Sequence, residues 1–126
     1  MRYTLESVDK PDSTSELLLK STFEKLALLL PLDHAFFEIY LVPDDFNVHS
    51  YEPAPDFPRP DLLEGERYLG EIHLNPDKIA ANGESLVFMM IHGLLHLLGY
   101  DHKEEGDRIK MEQKESELLA AIGHSI

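Results

Sequence analysis

The sequence predicts one α+β domain spanning residues 1–126, a small mixed β-sheet of about four strands packed around a central buried helix. Three observations carry this. The segments AFFEIYLV (35–42) and YLGEIHL (68–74) have the aromatic and branched composition, or the period-two alternation, of strands. The run LVFMMIHGLLHLL (86–98) is too uniformly apolar for a surface helix and too short for a membrane span. Strands and helices follow one another without a strict βαβ rhythm, and 126 residues suffice for one core but not two.

Taken in order, Arg2 to Val8 reads as a short strand. Ser13 and Glu16 match a reciprocal capping box that opens a helix through LLLKSTFEKLALLL, ended by Pro31, which cannot donate an N–H. Ala35 to Val42, Asn47 to Tyr51 and Tyr68 to Leu74 supply the remaining strands, with a proline-rich loop from Pro53 to Asp61 between the last two. Glu84 to Leu98 forms the central helix, and Gly99 can leave it in a left-handed conformation. A charged helix from Asp107 to Ile122 closes the chain, with Met111, Leu118, Leu119 and Ile122 as its inward stripe and Gly123 at its end. No internal repeat or low-complexity tract marks a second unit.

Twenty-four acidic residues against eleven basic ones give a net charge of -13, which repels polyanions at long range. A bound dication would invert that field locally, so the conflict between bulk charge and an anionic substrate stays open. There is no cysteine, which excludes disulfides and thiolate metal sites and leaves nitrogen and oxygen as the only donors. The opening MRYTLESVDK has neither the apolar run of a signal peptide nor that of a membrane anchor, so cytoplasmic residence and no membrane partner are expected.

The chemistry concentrates in IHGLLHLLGYDH (91–102), an HGxxHxxGxDH pattern. His92 and His96, four apart on a helix, share one face with Cβ atoms about 5–6 Å apart, a separation that lets two imidazoles chelate one ion. Gly99 breaks the helix so that His102 can return as a third nitrogen donor. Three protein ligands leave zinc a fourth, open position, as in catalytic rather than closed structural sites. The competing account is a core histidine satisfied by a backbone carbonyl. It explains one such residue but not two in an otherwise apolar helix, where unpartnered ring nitrogens would cost several kcal/mol in total, roughly 2–7 for each buried polar group. Of the other histidines, His49 and His73 sit on strands and can line the site, whereas His34 and His124 fall beside element ends.

The spacing matches that of H-E-x-x-H-x-x-G-x-x-H metalloproteases, but Gly93 stands where their general-base glutamate would be. A zinc-dependent peptidase-like hydrolase is therefore the remotest reading. Gly93 leaves room either for a bulky substrate or for close packing of another element against the helix.

His92, Gly93, Leu95, His96, Leu97, Gly99, Tyr100, Asp101 and His102 together resemble the H-G-x-L-H-L-x-G-Y-D-H signature of the YbeY family. LGEIHLNP resembles that family's LGDIVIS strand, NVHSYE its T-[DN]-V-L-S-F segment, and Met111 with Glu115 its M-x-x-x-E. The resemblance covers most of the chain and is patchy before Asn47. It implies a zincin-like fold and a metal-dependent, single-strand-specific endoribonuclease that matures the 3′ end of 16S ribosomal RNA and serves ribosome quality control. Ribosomal RNA and the small ribosomal subunit are the implied partners. On this reading one divalent transition metal, foremost Zn2+, is bound by His92, His96 and His102, and Ser50 and Glu71 line the cleft from strands near the central helix. Asp101 either orients a ligand ring or caps the turn.

One departure bears on activity. Val42-Pro-Asp-Asp45 runs almost directly into Phe46-Asn47, omitting the helix and the arginine-bearing Y-R-G-K-D segment that the family usually places there. A guanidinium is the natural bidentate partner of a scissile phosphate. Arg59 and Arg67 are the nearby candidates to replace it, each more readily explained as a solvated loop residue. A non-catalytic, metal-stabilised ribosome assembly or binding module is accordingly the alternative to the nuclease.

Overall fold

A computed structural model describes residues 1–43, 46–53, 60–101 and 103–123. The elements run β1 (Arg2–Ser7), α1 (Ser13–Leu26), β2 (Ala35–Leu41), β3 (Val48–Tyr51), β4 (Arg67–Leu74), α2 (Pro76–Ala81), α3 (Leu86–Leu97) and α4 (Glu105–Ala121). The α+β expectation holds, and so does the four-stranded mixed sheet. Its order is β1-β2-β4-β3, with β1, β2 and β4 parallel and β3 antiparallel on the edge.

Paired residues share a face of the sheet, so the register sorts the side chains. One face presents Phe37, Ile39, Leu41, Ile72 and Leu74, all buried, with Val48 and Ser50 continuing it on β3. Against this face lies α3, which touches β3 and β4 and is itself flanked by α1, α2 and α4. That position explains its composition: seven of its twelve residues are buried, more than one amphipathic stripe can supply. Ser85 caps its N-terminus through a bond from the Phe88 N–H at 3.2 Å. At the other end Gly99 adopts φ +103, and the Tyr100 N–H turns back to the Leu95 carbonyl.

Two features of α1 differ from the sequence reading. The cap is Asp12, whose carboxylate accepts from Ser15 N at 3.1 Å and Ser15 Oγ at 2.7 Å, so the Ser13/Glu16 box does not form. The helix also stops at Leu26, well before Pro31. Turning there lets Leu30 and Leu32 enter the core while Leu28 stays 87% exposed, an arrangement a continued helix would not allow. The short α2 was not foreseen. Asn75 caps it by accepting from Lys78 N at 3.1 Å, and Pro76 opens it where its missing N–H costs nothing. No helix among the described residues is long and apolar enough to cross a membrane.

Candidate metal centre

The histidine pair comes together as the helical spacing requires. His92 Nε2 and His96 Nε2 stand 3.2 Å apart, with the rings nearly perpendicular at 82°. Two donors on one tetrahedral ion with bonds of about 2.0–2.1 Å would be roughly 3.3–3.4 Å apart, so the pair fits a shared metal with little movement. His102 lies outside the described residues, and among those described no set of three donors converges.

Behind the pair is Glu115, whose Oε2 is 3.2 Å from His92 Nδ1. It reaches there from α4, where the foreseen stripe of Met111, Leu118, Leu119 and Ile122 is buried and Glu115 is buried among them at 4% exposure. The sequence reading noted Glu115 in the M-x-x-x-E match without giving it a role. Its position in step with Met111, Leu118 and Ile122 on an amphipathic helix was the signal that it points inward.

Gly93 decides between the two uses left open for it. A Cβ there would lie 2.9 Å from Ile72 Cγ2, 3.2 Å from Ser50 Oγ and 3.4 Å from Val48 Cγ2, so the glycine serves close packing of the sheet on the helix. A glutamate at this position would have no room, which removes the proton acceptor the peptidase reading needs. Ser50 adds a direct tie, its hydroxyl donating to the Gly93 carbonyl at 2.9 Å.

A cleft of about 680 Å³ opens over the pair, lined by Asn47, Val48, His49, Ser50, Glu52, His92 and His96. Ser50 lies on the face turned to α3, whereas His49 borders the cleft from the edge strand with its ring stacked on Tyr51, on the face it shares with His73. Glu71 does not line it. It sits between Gly70 and Ile72, which face α3, and therefore points to the opposite face, where it pairs with His73 Nε2 at 3.0 Å; Tyr40 and Tyr51 pack on the His73 ring. Strand alternation also takes His73 away from the site. Asp101 caps the turn, its Oδ1 accepting from Lys103 N at 3.1 Å, which is the simpler of its two expected roles. Arg67 is exposed at the start of β4, away from the cleft, while Arg59 and His124 lie outside the described residues. His34 occupies a turn at φ +62.

The described part of the cleft offers two convergent imidazoles, a buried carboxylate behind one of them, an edge strand as one wall, and neither arginine nor lysine among the residues that line it. Such a site can bind a dication and present it to a ligand lying along β3.

Comparison with known proteins agrees with the motif. A family profile described as Endoribonuclease YbeY matches residues 43–123. Proteins named Endoribonuclease YbeY are similar to this chain in Desulfitobacterium hafniense (38% identity over 73 residues, 51% of this chain and 46% of that protein). The same holds in Roseiflexus castenholzii (38% over 87 residues, 61% and 49%) and Clostridium botulinum strain Hall (40% over 75 residues, 53% and 45%). The chain spans about half the length of the curated relatives it matches. With the profile covering more than half of its residues and the H-G-x-L-H-L-x-G-Y-D-H signature intact, the chain belongs to the YbeY family.

Proposed function

We propose that this chain is a metal-dependent, single-strand-specific endoribonuclease that acts in 16S ribosomal RNA 3′-end maturation and ribosome quality control, with ribosomal RNA and the small ribosomal subunit as its partners. The observation that carries the reading is the pair of Nε2 atoms 3.2 Å apart at the base of an open cleft. Membership of a family whose profile is described as an endoribonuclease gives the substrate class. We read His92, His96 and His102 as the ligand set of one divalent ion, zinc foremost, and the helix-on-sheet arrangement around them as zincin-like. Imidazole donors alone serve several first-row metals, and zinc is preferred for the open tetrahedral site it tolerates.

When bound, such an ion supplies Lewis acidity toward a phosphate oxygen and activates water at neutral pH. The chain's own residues do the rest. His92 and His96 hold their Nε2 donors toward the cleft, and α3 fixes both on one rigid element. Val48 and Ser50 form a wall that keeps the RNA strand on one side of the donors, and the Ser50–Gly93 bond fixes the distance from that wall to the helix.

A second reading keeps the metal and drops the cleavage, making the chain a ribosome assembly or binding module. It is favoured by one observation, that no arginine or lysine is among the described residues lining the cleft to meet a phosphate. The test is incubation of single-stranded ribosomal RNA with wild type and His96→Ala, with and without added zinc. Metal-dependent cleavage lost in the variant supports the nuclease. Bound metal without cleavage by wild type supports the module.

A further inference from the structure

Glu115 has a role that packing does not explain. It is 4% exposed on a face of α4 whose other members, Met111, Leu118, Leu119 and Ile122, are apolar, and a leucine of similar volume would fill that seam. A carboxylate taken out of water is costly unless donors meet it. One donor is His92: its Nδ1 is 3.2 Å from Glu115 Oε2, while its Nε2 faces His96. With Glu115 ionised and therefore an acceptor only, the bond puts the His92 proton on Nδ1 and turns the Nε2 lone pair toward His96 Nε2 and the cleft. The side of His92 toward Glu115 is closed and its ring stays 27% exposed toward the cleft, so the carboxylate acts on the ring from the interior. Phe88, stacked at 21° to the ring with centroids 6.4 Å apart, flanks the same imidazole.

We infer that Glu115 is a positioning residue that selects the Nδ1–H tautomer of His92 and holds its ring, so that Nε2 is ready to donate before any metal arrives. Carboxylates placed this way behind a ligating imidazole fix its tautomer and raise its basicity, and their loss costs about 10–100-fold in metal affinity. The inference rests on the metal-binding reading for its consequence, but the tautomer itself is a property of the metal-free chain.

The experiment therefore has two readouts. Long-range proton–nitrogen correlation spectra of metal-free, nitrogen-15-labelled protein report which His92 nitrogen carries the proton. Competition against a chromophoric chelator reports zinc affinity. Wild type is expected to show Nδ1–H at His92. Glu115→Leu, which keeps the volume and removes the acceptor, should lose that tautomer preference and bind zinc about 10–100-fold more weakly. Glu115→Gln retains an acceptor oxygen and should recover most of both.

A purely structural role would lower the unfolding temperature of Glu115→Leu without altering tautomer or affinity. Wild-type His92 protonated at Nε2 in the metal-free protein, or folded Glu115→Leu with wild-type zinc affinity, overturns the inference. If Glu115→Leu does not fold, the wild-type tautomer and the Glu115→Gln affinity decide it. Failure of wild type to bind zinc while His92 carries its proton on Nδ1 overturns the proposed function and leaves the positioning role standing.

Discussion

Ser50 Oγ donates to the Gly93 carbonyl at 2.9 Å and stands 3.2 Å from the place a Cβ on Gly93 would occupy. The edge strand is thereby held against α3, which carries His92 and His96, at a distance that favours glycine. Gly93→Ala would push Ile72 Cγ2 from 2.9 Å as well as Ser50. Overpacking of this kind costs about 1–3 kcal/mol, against a gain of about 1 kcal/mol from the better helix former. A net loss of up to about 2 kcal/mol is expected, read as a lower denaturant midpoint at unchanged slope.

Gly70 is less forgiving. Its φ is +130 and a Cβ would lie 2.2 Å from the Tyr51 carbonyl oxygen, a backbone atom of the neighbouring strand. Gly70→Ala should cost more than about 4 kcal/mol and leave little folded protein in the soluble fraction. Gly106, in the first turn of α4 with nothing within 4 Å of its Cβ position, is the contrast. Gly106→Ala should raise stability by about 0.5–1 kcal/mol in the same denaturant assay.

Arg2 clamps Glu66 with Nη2 and Nε at 2.6 and 2.8 Å from its two oxygens. Those hydrogen bonds, with that from the Leu63 N–H, hold the Glu66 carboxyl down at about 2. A folded value below the ordinary 4.5 means that the ionised form is favoured in the native state. The contribution is therefore present above the unfolded value and is lost as pH falls from about 4.5 through about 2. Carbon-13 titration of the Glu66 carboxyl should show this, with Arg2→Ala returning it toward 4.5.

Tyr40 shifts the other way, pushed up to about 12 by burial and by its hydrogen bond to Glu38 at 3.0 Å. The neutral phenol is the favoured native form, so its contribution is complete below the ordinary value of 10 and is lost as pH rises from there through about 12. Ultraviolet titration of the tyrosines should show a late-ionising component in wild type. Glu38→Gln should move that component to lower pH.

Much of the fold was legible because hydrophobic pattern and strand composition are local signals. The four strands, the buried α3 and the inward stripe of α4 all follow from residues read in place. The errors arise where a distant partner decides. Asp12 and Ser13 are equally good caps on paper, and only the demand that Leu30 and Leu32 reach the core ends α1 at Leu26. The Asn75-Pro76 start of α2 is a visible signal just past the strand that ends at Leu74, where the sequence reading assigns no element.

At the site, helical spacing alone brings His92 and His96 together. Glu71 was misplaced because resemblance assigns a strand and not a face, and alternation puts its side chain opposite α3. Glu115 was noticed as a matching letter but given no role, since its contact with His92 spans 23 residues and depends on how α4 docks.

The central claim is that these histidines hold a metal, and elemental analysis of chelator-free purified protein tests it most directly, wild type beside His96→Ala. The account predicts near-stoichiometric divalent transition metal in wild type and its loss in the variant, with the helical circular dichroism of both retained. Absence of stoichiometric metal from folded wild type under every loading condition would contradict it.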